Sequence, residues 1–128
     1  MSRNIVIVCV VLLALLVGCV TREVKVGAAD NGREITLKQG QTLAVALEAN
    51  PTTGYNWLVV SEPDITVLSV VGDEFEAPSR DRVGAGGVTT WRFRALAAGE
   101  TSFQLGYARS WEEGVEPLET FSLRVVVR

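Results

Sequence analysis

The side chains that most often carry out chemistry are scarce in this sequence. It contains no histidine and two cysteines, Cys9 and Cys19. Without an imidazole there is no histidine general base, no histidine-based catalytic triad and no histidine metal ligand. Catalysis would then need a carboxylate pair, and the candidates are two of Glu112, Glu113 and Glu116. These sit in a short polar stretch between two alternating runs and read better as a solvated acidic loop. The chain is therefore expected not to be an enzyme and to need no cofactor, no metal and no small-molecule substrate. Its net charge of −3 and the lack of a basic stripe argue against nucleic acid as a partner.

What the sequence offers instead are residues suited to contact, in three separate stretches. The first is Asn50-Pro51-Thr52-Thr53-Gly54-Tyr55-Asn56-Trp57. Pro51 fixes its own φ, removes a donor and biases Asn50 toward extended geometry. Gly54 permits positive φ. Thr52 and Thr53 are stiff at χ1 and carry hydroxyls that can brace the loop or reach outward. Trp57 opens an apolar run and reads as core, whereas Tyr55 fits either a packed or a presented role. A tip this rigid loses little entropy on docking.

The second stretch is FEAPSRDRVGAGGVTT, residues 75–90. It is long for a hairpin connection, and long loops in compact domains are mostly functional or disordered. Gly84, Gly86 and Gly87 fall within it. No Gly-Lys-Ser/Thr follows, so this is not a phosphate-binding loop. It is either plain flexibility or a backbone able to lie along another chain and exchange hydrogen bonds with it. The third stretch is Tyr107-Ala108-Arg109-Ser110-Trp111-Glu112-Glu113-Gly114. Trp111 lies outside the alternating register of the neighbouring run, and Arg109 stands two residues before it. Arginine and tryptophan are the residues most enriched at interface hot spots.

Elements able to hold three such loops can be read from the period of the apolar residues. Leu43, Val45 and Leu47 alternate with Thr42, Ala44 and Ala46. The same period runs through Trp91, Phe93 and Ala95, through Phe103, Leu105 and Tyr107, and through Phe121, Leu123, Val125 and Val127. Residues 57–60 and 67–71 are nearly continuous apolar runs, as in strands buried on both faces. Turn signals at Gly40, at Pro63-Asp64 and at Gly99 separate the runs. No helical period is sustained after residue 19. An all-β fold follows: an immunoglobulin-like antiparallel β-sandwich of about seven to eight strands, with a small barrel as the alternative. The antibody-type Cys-Trp-Cys pattern is absent. In such a sandwich the three stretches are the B–C, D–E and F–G connections, which open at one end.

The first nineteen residues differ in kind. Residues 5–17 form an unbroken apolar run of thirteen, shorter than the roughly 20 residues that span a bilayer and right for the core of a secretory signal. The run ends in Leu16-Val17-Gly18-Cys19, which resembles a bacterial lipobox. That resemblance implies cleavage before Cys19 and acylation of Cys19 with diacylglycerol and palmitate-type chains, enough for stable membrane anchoring. The expected organisation is residues 1–18 as a lipoprotein signal peptide, 19–33 as lipidated cysteine and tether with a short strand at residues 23–26, and 34–128 as the folded domain. Cys9 would leave with the signal, so the mature chain would have neither a free thiol nor a disulfide. The expected location is the bacterial cell envelope, on the outer membrane facing the periplasm.

Taken together in their order, NPTTGYNW, VGAGGVTTWRF and YARSWE resemble the chagasin-type inhibitors of papain-like cysteine proteases. The resemblance spans roughly residues 34–127, with one departure: Ser110 stands where that family usually has proline. It implies a reversible, non-covalent inhibitor whose partner is a papain-like cysteine protease. Asn50, Pro51, Thr52, Thr53, Gly54 and Tyr55 would then wedge into the cleft, with Thr52 and Thr53 nearest the catalytic cysteine. The loop at Gly84, Gly86 and Gly87 would line one side and Arg109 and Trp111 the other. A non-inhibitory envelope lipoprotein that binds glycan or a partner protein is the rival reading, since fold alone never dictates function.

Overall fold

The alternating runs become strands in the computed structural model, which describes residues 22–78 and 86–128. Among these residues, eight strands follow one another: β1 (Glu23–Val26), β2 (Glu34–Leu37), β3 (Thr42–Ala49), β4 (Asn56–Ser61), β5 (Leu68–Glu76), β6 (Gly87–Ala95), β7 (Gly99–Ala108) and β8 (Glu119–Val127). They form two four-stranded sheets, ordered β1-β3-β6-β5 and β2-β8-β7-β4. Short 3₁₀ turns occupy Ala28–Asp30 and Pro51–Thr53. The result is an all-β, immunoglobulin-like sandwich.

Each connection reverses the chain, so odd-numbered strands run one way and even-numbered strands the other. Neighbours of unlike parity pair antiparallel: β3 with β6, β5 with β6, β4 with β7 and β7 with β8. Neighbours of like parity must pair parallel, and β1 with β3 and β2 with β8 do so. The expectation of a wholly antiparallel sandwich is corrected at these two pairs. The chain passes from the edge of one sheet to the edge of the other and back before β3, and those two reversals restore the direction of β1.

The same parity decides where the loops emerge. Every odd-to-even connection lies at one end of the sandwich, including β3–β4, β5–β6 and β7–β8. Every even-to-odd connection lies at the other. Three stretches far apart in sequence are thus delivered to one pole by the strand count alone.

Between the sheets the inward-facing residues of each strand form a single core. Leu43, Val45, Leu47 and Ala49 of β3 and Phe121, Leu123, Val125 and Val127 of β8 share one buried cluster with Phe93, Ala95, Phe103 and Leu105. The rings of Phe93 and Phe103 stack with centroids 4.2 Å apart. Burial of side chains this size contributes about 1.5–3 kcal/mol each. Two tryptophans tie the sheets with their indole N–H groups: Trp57 Nε1 donates to Glu48 O and Trp91 Nε1 to Trp57 O, each at 2.9 Å.

Two sequence expectations change in detail. The run at residues 57–60 is not buried on both faces: Trp57 is 4% exposed but Val60 is 48% exposed, because β4 is an edge strand that covers only one side. The strand expected at residues 67–71 starts at Leu68 and continues to Glu76, past a bulge between Val70 and Gly72. Two arginines brace strands on the solvent faces. Arg92 pairs with Glu74 and Glu23 at 2.9 and 3.2 Å, and Arg124 with Glu100 and Glu34 at 2.8 and 3.3 Å. The hydrogen bonds to Glu74 and Glu100 lead in raising the two guanidinium pKa values further above an already high norm. In the β4–β5 turn, the Thr66 hydroxyl and then its backbone N–H donate to Asp64 at 2.6 and 3.0 Å. Together they hold that carboxyl below its ordinary pKa.

Candidate functional site

The first loop leaves β3 at Asn50 and enters β4 at Asn56. Asn50 is extended (φ −129°, ψ 88°), as expected before proline, and Pro51 opens the 3₁₀ turn. Backbone bonds from Thr53 N to Asn50 O (3.2 Å) and from Gly54 N to Pro51 O (3.0 Å) close it. Both threonine hydroxyls are used inside the loop: Thr52 Oγ1 donates to Asn50 Oδ1, and Thr53 Oγ1 to Asn50 O at 2.7 Å. Gly54 ends the turn in the left-handed region (φ 84°, ψ −7°). Glycine is needed there for its φ, and a Cβ would in addition push the exposed Trp111 ring off its seat.

The third loop closes on the first. Glu112 N donates to Arg109 O at 3.2 Å, making a turn with Ser110 at its second position. Arg109 reaches back across the rim: Nε donates to Thr53 O at 3.2 Å, and the guanidinium lies 4.4 Å over the Tyr55 ring. Its Nη1 pairs with Glu112 at 3.0 Å. Trp111 is 66% exposed, the most exposed large apolar side chain among the described residues. Beneath Tyr55 lies Tyr107 of β7, stacked with ring centroids 5.5 Å apart, and beneath Tyr107 lies the buried Trp57 at 5.1 Å. The Tyr107 hydroxyl accepts the Asn50 backbone N–H at 2.8 Å. A column of Trp57, Tyr107, Tyr55 and Arg109 thus rises from the core to the rim.

The second loop meets the first from the other side. Gly86 is exposed, and a Cβ there would stand 3.1 Å from Ala49 O and 3.8 Å from the Asn50 Cβ. Gly87, expected in the loop, is instead the first residue of β6, paired with Ala49 of β3, while the next residue, Val88, pairs with Glu76 of β5. No other residue fits: a Cβ would overlap Glu76 O and press on the Phe75 ring. Phe75, Thr89 and Thr90 are likewise strand residues, which trims the described connection to 77–78 and 86. Gly84 lies outside the described residues.

Tyr107 and Glu112 belong to the third stretch singled out from the sequence, but neither role is legible there: Tyr107 braces the first loop and Glu112 holds Arg109. Tyr107 follows Phe103 and Leu105 in the period of β7 and therefore reads as core. Nothing local announces its hydroxyl's partner, 57 residues away. Arg109, a candidate contact residue, also braces the rim from within through Thr53, Tyr55 and Glu112.

An all-β sandwich whose first and third loops brace each other on one rim, with the end of the second beside them and a tryptophan exposed, is a loop-presenting binding module. Its kind is settled by comparison with known proteins. The model of the Chagasin family peptidase inhibitor I42 matches residues 36–125, more than half of the chain, and the chain belongs to that family. Amoebiasin-2 of Entamoeba histolytica is 34% identical over 86 residues, covering 67% of this chain and 70% of that protein. Chagasin of Trypanosoma cruzi is 29% identical over 102 residues, covering 77% of this chain and 93% of that protein. The crystal structure of the cysteine protease inhibitor EhICP2 from Entamoeba histolytica aligns with a TM-score of 0.74 at 26% identity, over 84% of this chain and 97% of that one.

Proposed function

We propose that the protein is a reversible, non-covalent inhibitor of papain-like cysteine proteases, and that its three-loop rim occludes the active-site cleft. The observation that carries this reading is the union of the first and third loops through Arg109, Tyr55 and Tyr107, with the second loop against Asn50. Family membership and the likeness to a cysteine protease inhibitor of known structure support it. The first loop enters the cleft as a wedge, with Thr52 and Thr53 leading. It resists cleavage because its tip is a closed 3₁₀ turn whose Thr53 carbonyl is held by Arg109, whereas proteases bind their substrates as extended strands. Gly86 brings backbone along one wall and Trp111 packs on the other. Three loops of this size can supply the total of about 1,600 Å² that stable complexes bury. Titrating papain with the protein is expected to remove activity stoichiometrically. Undisturbed hydrolysis in large excess of the protein overturns the reading.

The envelope anchor belongs to the same proposal. The Gly18-Cys19 junction after an apolar run supports lipidation at Cys19, which lies outside the described residues. On expression in a bacterial host, the protein is expected to partition with membranes and the Cys19→Ser variant with the soluble fraction. Equal partitioning of the two counts against the anchor.

A further inference from the structure

The third loop lacks the proline that the family resemblance leads one to expect, and the column beneath the rim shows what stiffens it instead. We propose that Tyr107 is a positioning residue for inhibition, which sets the first and third loops as one preformed unit before any protease arrives. This inference rests on the inhibitor reading.

Tyr107 acts through two separate groups. Its hydroxyl accepts the backbone N–H of Asn50, the residue from which the wedge departs and whose own carbonyl accepts from both Thr53 N and Thr53 Oγ1. Its ring, resting on buried Trp57, supports Tyr55, and Tyr55 carries the Arg109 guanidinium. Arg109 in turn holds Thr53 O and Glu112. The wedge is therefore fixed at its root by the hydroxyl and at its tip by Arg109, and one side chain of β7 stands beneath both. Tyr107 itself is half-buried. It works by removing the conformational freedom that docking would otherwise have to freeze out.

Replacing Tyr107 by phenylalanine keeps the ring and removes the hydroxyl. In the full chain, Y107F is expected to raise the inhibition constant against papain about tenfold, the effect of roughly one hydrogen bond. The change should fall mainly on the association rate, because fewer molecules present the docking-ready loop. Amide hydrogen exchange at Asn50, Thr52, Thr53 and Gly54 should speed up, while exchange in the β7–β8 core and the melting temperature stay within a few degrees of the parent. A merely structural role would lower the melting temperature and leave the inhibition constant of the folded fraction unchanged, and that result overturns the proposal. So does an unchanged inhibition constant, or unchanged exchange across Asn50–Gly54. If the parent itself fails to inhibit papain, the inhibitor reading falls, and the exchange comparison alone still decides whether Tyr107 holds the loop.

Discussion

At the scale of single residues, the rim divides its work between side chains that brace and one that is presented. Arg109 resembles a contact residue by type, but its guanidinium is taken up by Thr53, Glu112 and Tyr55. Thr52 and Thr53 likewise turn their hydroxyls inward to Asn50. Trp111 differs: its ring lies over Gly54 yet two-thirds of it remains in solvent. A large apolar surface held in place but not covered fits the character of an interface anchor. Trp111→Ala is expected to weaken inhibition of papain by about 2 kcal/mol or more while leaving the melting temperature nearly unchanged. An inhibition constant equal to the parent's would show that the exposed indole takes no part in the contact. The roles of Thr53 and Arg109 were not legible in the sequence, because their partners are 56 residues apart and no local pattern encodes that meeting.

At the scale of elements, alternation made most strands legible: β3, β6, β7 and β8 each show their buried face as every second residue. The misses have physical causes. Glycine is a poor strand former, so Gly87 reads as loop; only the neighbouring Phe75 ring and Glu76 carbonyl require it in the sheet. Strand β1 is short, and its place depends on a parallel partner that the sequence does not name. Its half-buried Val24 and Val26 pack against the core, and Glu23 pairs with Arg92. The matched family region begins only at residue 36. A chain starting at Glu34 is therefore expected to melt roughly 10 °C lower, since two partly buried valines contribute about 1 kcal/mol each. It should still inhibit, because the rim is built from residues 50–118. Calorimetry beside a papain assay checks both halves, and an unchanged melting temperature would make β1 an appendage without a structural role.

At the scale of the whole molecule, the fold class was legible because about seven short runs with turn signals leave few architectures open. The convergence of three loops was legible only given that architecture, through the direction in which each strand runs. Parity has one more outcome. Odd strands travel toward the loop-bearing pole, so β1 sets out from the opposite one, where Glu23 lies beside Thr42 at the start of β3. Chain arriving from residue 22 thus joins the body at its base. If a lipid at Cys19 holds the protein to a bilayer, the body stands upright on that leash with its wedge pointing into the surrounding fluid, free to seize a passing enzyme without first letting go of the surface.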